Sequence, residues 1–449
     1  MNGKKVTTPI CDFVEEYRKS GISRFHMPGH KGKNLVGCES ADITEISGAD
    51  VLYSADGIIA ESEQNATRLF GTAHTFYSTE GSSLSIKAML ALAVCGKHGK
   101  KTVLAARNAH KAFVYGCALL DIEVEWLYPK KGEGLCSCPI TSGQVKDALC
   151  ALDNLPCAVY ITSPDYLGNI ADVSGIAKVC DDFGVPLLVD NAHGAYLKFL
   201  KEDIHPITLG AHMCCDSAHK TLPVLTGGGY LHISKKAPSA YVENARNMLS
   251  VFASTSPSYL ILQSLDACNR YIAQDFSAEL EECTKTVEKT KKLLESQGVA
   301  VVGDEKTKLV IDLAASGFAA GELEKRLCDN NIEVEFSDGD HVVLMASPLN
   351  NKGDFERLES AFDGLFAKKA VDREKIFPTR CEKVLSIRQA VFAPREIVPT
   401  DKAPGRICGC PTVSCPPAIP IVTSGERIDE NAVKLFKKYG IFKIDVVIE

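Results

Sequence analysis

The stretch that decides the fold lies between Val185 and His232. It opens VPLLVDNAHGAY (Val185–Tyr196) and closes DSAHKTLPVLTGGGYLH (Asp216–His232). The run VPLLVD is almost wholly apolar and ends in Asp190. A short continuous apolar run reads as a strand buried on both faces, as in a parallel sheet. An acid at the C-terminal end of such a strand lies where open α/β sheets bind ligands. It reads equally as a helix N-cap or one half of a loop salt bridge. A second apolar strand leads to Lys220, which is flanked by Ser217, His219 and Thr221 and runs into a Thr-Leu-Pro turn. A lone lysine is ordinarily a solvated charge, but this setting points to a site.

Working outward, short apolar runs alternate with helix-like segments. Strands are predicted at Thr102–Ala106, Ala158–Thr162, Pro186–Val189, His212–Cys215 and Tyr230–Ile233. Helices are predicted at Ser83–Cys95, Lys111–Leu119 and Val173–Phe183. This alternation predicts βαβ units and a mostly parallel sheet covered on both faces. The Leu, Glu and Lys-rich stretch Pro257–Gln297 predicts two helices, the second stopped by Gly298. A smaller α/β unit follows. It has strands at Val299–Val302, Leu309–Asp312, Glu333–Phe336 and His341–Met345, and helices at Ala320–Asn330 and Asp354–Leu365. A last helix is predicted at Glu430–Tyr439. The organisation expected is an N-terminal arm with little regular structure (1–60), a large α/β domain (61–298) and a C-terminal α+β region (299–449).

Composition narrows the function. The 449 residues are 45% hydrophobic and 24% charged, the profile of an ordinary globular protein. The formal net charge of −7 argues against a nucleic-acid partner, which calls for a clustered basic excess. The start, MNGKKVTTPICDFVEEYRKS, has no apolar signal core, and no window is apolar enough to span a membrane. The expectation is a cytoplasmic protein with no membrane partner. Its 18 cysteines are too sparse for a disulfide scaffold and are expected to be reduced thiols.

Several patterns mislead. GKHGKKT (Gly96–Thr102) departs from the phosphate-loop spacing. Gly227–Gly229 precedes a strand instead of opening a helix, so it is no dinucleotide fingerprint. Cys136 and Cys138, or Cys408, Cys410 and Cys415, lack zinc-site spacing, and no metal is expected.

A Lys and an Asp at neighbouring strand ends suit pyridoxal 5'-phosphate. That cofactor needs a lysine amine for its Schiff base and a carboxylate to keep its pyridine nitrogen protonated. It also needs donors for its phosphate. Gly81-Ser82-Ser83 opens an amphipathic helix and offers hydroxyls and backbone N–H groups, although the serine pair also reads as a plain cap. RNAHKAF puts His110 at another strand end, where an imidazole either stacks on the cofactor ring or serves the fold.

These segments together resemble the ornithine/lysine/arginine decarboxylase family in its short bacterial form. The matching stretches are FHMPGHKG (Phe25–Gly32), DITEISGADVLY (Asp42–Tyr53), EGSS (Glu80–Ser83), RNAHKA (Arg107–Ala112), TSPDYLG (Thr162–Gly168), DNAHGAY (Asp190–Tyr196), DSAHKTLPVLTGG (Asp216–Gly228), TSPSYL (Thr255–Leu260) and GRI…PPAIPIVTSGE (Gly405–Glu426). The resemblance implies the aspartate-aminotransferase type of pyridoxal-phosphate fold and decarboxylation of a basic L-amino acid (arginine, lysine or ornithine) to a polyamine-type amine and CO₂. It implies that Lys220 carries the cofactor, Asp190 pairs with the pyridinium nitrogen and His110 stacks on the ring. Ser82, Ser83, Ser217 and His219 would hold the phosphate, with His193 near the ring. It further implies a homodimer with TSPSYL serving the partner's site, and a small-molecule amino-acid substrate. The chain is too short for the extra N-terminal domain of the long members.

The departures fall at the substrate end. Cys415 stands where the family has Tyr, Ala418 where it has Gly, and Asp165 where Thr is commoner. A cationic substrate needs an acidic wall, for which Glu80, Asp165 and Glu396 are the candidates; each also reads as an ordinary solvated acid. The rival readings are transamination or another lyase reaction on the same fold, and a non-catalytic pyridoxal-phosphate-binding protein.

Overall fold

The structure is a computed structural model that describes residues 6–129, 134–372, 376–414 and 416–448. Cys415 lies outside the described residues. The chain forms two compact units, Met1–Lys97 with Cys180–Ala278, and His98–Val179 with Glu279–Glu449.

The α/β strands are β1 (His74–Ser78), β2 (Lys101–Ala106), β3 (Ile122–Leu127), β4 (Ala158–Thr162), β5 (Leu187–Asp190), β6 (Met213–Asp216) and β7 (Gly229–Ile233). In the first unit the order is β1–β7–β6–β5. Here β5 and β6 run parallel, while β7 is antiparallel to β6 and to β1. In the second unit β4, β2 and β3 lie side by side and parallel. The expected α/β class with mostly parallel pairing is therefore the observed one. Strands β1 and β3 have no counterpart in the sequence reading. Yet Ile-Glu-Val-Glu in β3 alternates as a half-buried strand should.

The helix Gly81–Val94 departs from its expected amphipathic character. All its residues except Ser83 and Lys87 are buried. Its small Ala and Ser residues let every face pack closely, so it behaves as a core helix. The helices Lys111–Leu120 and Val173–Phe183 stand where predicted. The stretch read as an irregular arm carries the helix Pro9–Lys19, a 3-10 turn at Leu52–Ser54 and the start of the helix Ile58–Phe70. Asp266 satisfies two orphan donors of the helix Pro9–Lys19, accepting from the N–H groups of Ile10 at 2.9 Å and Cys11 at 3.0 Å. The stretch Pro257–Gln297 forms the helices Tyr259–Tyr271 and Ser277–Ser296, with a π-helical turn at Ile272–Phe276. Gly298 follows at φ 78°, a left-handed position that suits glycine.

The C-terminal part of the second unit holds β8 (Val301–Val302), β9 (Lys308–Asp312), β10 (Phe336–Ser337) and β11 (His341–Met345), all antiparallel in the order β10–β11–β9–β8. The helices Glu322–Asp329 and Lys352–Phe362 contribute Leu323, Leu327, Ala361 and Phe362 to the core cluster that also holds Leu309 and Ile311 of β9. An unforeseen antiparallel pair, β12 (Arg395–Pro399) and β13 (Lys443–Val447), lies further on.

One ion pair in this unit is fully buried. Lys308 Nζ meets Glu305 Oε2 at 2.7 Å and donates to the Asp165 carbonyl at 3.2 Å. Removing one partner strands the other charge away from water. Lys308→Met is therefore expected to cost about 3–5 kcal/mol, read as a lower midpoint of denaturant unfolding; an unchanged midpoint would contradict it.

Candidate functional site

In the first unit, sheet topology gathers the singled-out residues. The C-terminal ends of β1, β5 and β6 and the start of β7 meet at one edge, because Ser78 is in register with Gly229, Asp216 with Tyr230 and Asp190 with Cys215. From that edge leave the Ser82–Ser83 turn, the Asp190–Gly194 turn and the Ser217–Lys220 turn.

The first and third turns touch. Ser217 Oγ donates to Ser82 Oγ at 2.8 Å, both side chains being buried. Glycine makes the approach possible. A Cβ on Gly229 would lie 2.9 Å from the Asp216 carbonyl oxygen and 3.0 Å from the Gly81 carbonyl carbon. Gly81 itself sits at φ 63° and donates to the Gly227 carbonyl at 2.6 Å. The Gly227–Gly229 run is thus a packing device, a role that three glycines ahead of a strand should have suggested.

The second and third turns also touch. Lys220 Nζ lies 3.1 Å from His193 Nε2. Lys220 is exposed, whereas Asp190 is only 2% exposed. Asp190 Oδ1 accepts from the Ala192 N–H at 3.2 Å and from the Cys215 thiol at 3.6 Å. His219 donates from Nδ1 to the Gly228 carbonyl at 2.9 Å. Burial holds its imidazole below the ordinary value, against the pull of that carbonyl and aided by the Lys220 charge. A neighbouring anion would favour the protonated form of that ring.

This donor set fits pyridoxal 5'-phosphate. An accessible amine, a buried carboxylate at the neighbouring strand end and a pair of hydroxyls at the start of a 14-residue helix are what the cofactor requires. Thr221 Oγ1, next to Lys220, is buried with no hydrogen-bond partner among the described residues, which suits a polar ligand. Ser83 is half-buried on the same helix turn.

Glu80 precedes Gly81, is exposed, and accepts from the Ser254 N–H at 2.7 Å. His110, Asp165 and Glu396 belong to the second unit. His110 follows β2 and caps the helix Lys111–Leu120, its Nδ1 accepting from the Ala112 N–H at 3.1 Å. Asp165 is buried and closes a turn. It accepts from Ser137 Oγ at 2.5 Å and from the backbone and side-chain N–H groups of Asn169, both at 2.9 Å. Burial raises its pKa despite those bonds and the nearby Lys308. Glu396, on β12, is half-exposed and accepts from Arg406 at 2.7 Å. Ala418 adopts φ 57°, a conformation glycine takes freely and a side chain strains by about 1–2 kcal/mol. A family preference for Gly there has that backbone reason.

Sequence reasoning missed Asn191, His205, Asp216 and His232, all buried. For Asp216 and His232 the signal was present, since polar residues inside apolar strands are seldom buried without partners; Asn191 and His205 lie outside strands and carry no such mark.

The comparisons with known proteins agree with this geometry. The profile of "Orn/Lys/Arg decarboxylase, major domain" matches residues 8–387. An arginine decarboxylase of Bacillus subtilis is 29% identical over 96% of this chain and 93% of its own length. One of Bacillus cereus is 28% identical over 96% and 99%. Among solved structures, a lysine decarboxylase of Francisella novicida superposes with a TM-score of 0.80 at 17% identity, over 99% of this chain and 81% of the other. The expected family and cofactor class are both upheld: the chain belongs to the Orn/Lys/Arg decarboxylase family and is an amino-acid decarboxylase that uses pyridoxal 5'-phosphate.

Proposed function

We propose that the substrate is L-arginine, and that the products are CO₂ and the guanidino amine left when the carboxylate is replaced by a proton. The reading of a basic substrate rests on the family. Arginine in particular is supported by relatives called arginine decarboxylases that align over 96% of the chain. The observation that carries the site assignment is the 3.1 Å approach of Lys220 Nζ to His193 Nε2, beside the buried Asp190.

In this reading Lys220 would hold the cofactor and give place to the substrate amine. The cofactor, when bound, supplies an electron sink for the carbon that loses CO₂. Asp190 keeps a proton on the ring nitrogen, and its burial strengthens that pairing. Ser82, Ser83, Ser217 and His219 orient the phosphate, assisted by the N-terminus of the helix Gly81–Val94. Lys220, held by His193, carries the proton that replaces CO₂ on Cα. The family resemblance gives His110 the role of stacking on the cofactor ring. Thr255 and Ser256, exposed on the single chain, face the site of a second copy in a homodimer.

The test is CO₂ and amine release across arginine, lysine, ornithine and neutral amino acids. Arginine should give the largest kcat/KM. A preference for lysine or ornithine would move the substrate within the family. Glutamate formed from 2-oxoglutarate without CO₂ would replace decarboxylation by transamination.

A further inference from the structure

A second polar cluster lies in the first unit, on the strand face opposite Asp190. Residues alternate along β6, so Cys215 faces Asp190 whereas Cys214 and Asp216 point away. The Asp216 carboxylate is fully buried and accepts three hydrogen bonds. Asn191 Nδ2 donates to Oδ1 at 2.7 Å. His205 Nε2 and His232 Nε2 donate to Oδ2 at 3.1 and 3.0 Å. Burial opposes the charge, but the two imidazoles outweigh it and hold the carboxyl well below its usual range.

The same cluster, with Cys214, has ligand atoms close enough to hold a metal ion. The hydrogen bonding favours another account. His205 Nδ1 accepts from the Ile207 N–H at 3.4 Å, which leaves the ring proton on Nε2, aimed at Asp216. His232 Nδ1 lies 2.9 Å from Thr75 Oγ1, which lies 2.9 Å from Thr72 Oγ1. Because the Asp216 carboxylate can only accept, the His232 proton facing it lies on Nε2, and Nδ1 accepts from Thr75. Protonated Nε2 atoms are donors, not ligands.

The Asn191 bond gives the cluster its consequence. Asn191 follows Asp190 and begins the turn that carries His193, and its own N–H donates to the Cys215 carbonyl at 3.0 Å. We infer that Asp216 and Asn191 are positioning residues: the buried carboxylate, clamped by His205 and His232, pins the Asp190–Gly194 turn so that Asp190 and His193 stand in place for Lys220. This rests on the decarboxylase reading of the Lys220 site. A hydrogen bond to a buried charge fixes geometry more firmly than a neutral one.

The experiment uses the full chain loaded with pyridoxal 5'-phosphate. Asp216→Asn, Asn191→Ala and the double variant are compared by cofactor dissociation constant, visible cofactor absorbance, kcat, KM and melting temperature. Each single variant should weaken cofactor binding and lower kcat by about tenfold or more, with KM little changed. The double variant should lose less than the product of the two single losses, because both singles weaken the shared Asn191–Asp216 bond. Asn191→Ala keeps the test decisive should Asp216→Asn not fold, since it leaves the carboxylate with two imidazole donors. If the parent binds no cofactor or releases no CO₂, the decarboxylase reading falls. If the parent does both and the variants match it, the positioning role falls. Additive losses that merely follow melting temperature, or a stoichiometric metal ion in the purified protein, would also overturn it.

Discussion

Lys220→Ala is expected to lower CO₂ release by about 10⁴-fold, the scale seen when a group that acts directly on the reacting atoms is removed. The loss should fall on kcat. Lys220 has two tasks in the proposed site, holding the cofactor and returning a proton to Cα, and alanine does neither. Its exposed position argues that folding will survive the change, because truncating a solvated lysine costs little stability. The cofactor should still bind through the phosphate-holding hydroxyls, but the visible band of lysine-bound cofactor should be absent. Added methylamine should restore part of the rate by replacing the missing amine. Full activity in this variant would remove Lys220 from the chemistry altogether.

Asp190→Asn is expected to cost about 10²–10³-fold in kcat, the range for losing one preorganised electrostatic partner in a water-excluded site. Asparagine keeps the shape and can still accept from the Ala192 N–H, so the fold should be spared. What it lacks is the negative charge that keeps a proton on the ring nitrogen. At 2% exposure no bulk water can substitute for it. Single-turnover CO₂ release, compared with cofactor affinity measured separately, distinguishes a loss of chemistry from a loss of binding. Unimpaired turnover would reassign Asp190 to the turn that it caps.

Much of this was legible in the residues. Buried parallel strands announce themselves as short apolar runs, so β4, β5 and β6 fall within a residue of their expected places. The end strands β1 and β3 do not. His-Thr-Phe-Tyr-Ser in β1 has no apolar run, and its partner β7 lies far along the chain. The helix Gly81–Val94 misled for a related reason. Its Ser and Ala content reads as a polar face, but small residues also permit close packing on every side. Asp165 is a candidate pocket acid because a cationic substrate needs an acidic wall; its turn, where Ser137 and Asn169 hold it, is not written in the local pattern.

The sequence alone determined the α/β class, the lysine and acid at strand ends, and the cofactor chemistry that follows, because those depend on residue type and local periodicity. The tertiary structure decided which of them meet. Ser82 reaches Ser217 across 135 positions, His193 reaches Lys220 across 27, and Asn191 reaches Asp216 across 25. Such pairings are set by strand order and register, which hydrogen bonding between distant segments imposes and no local pattern encodes.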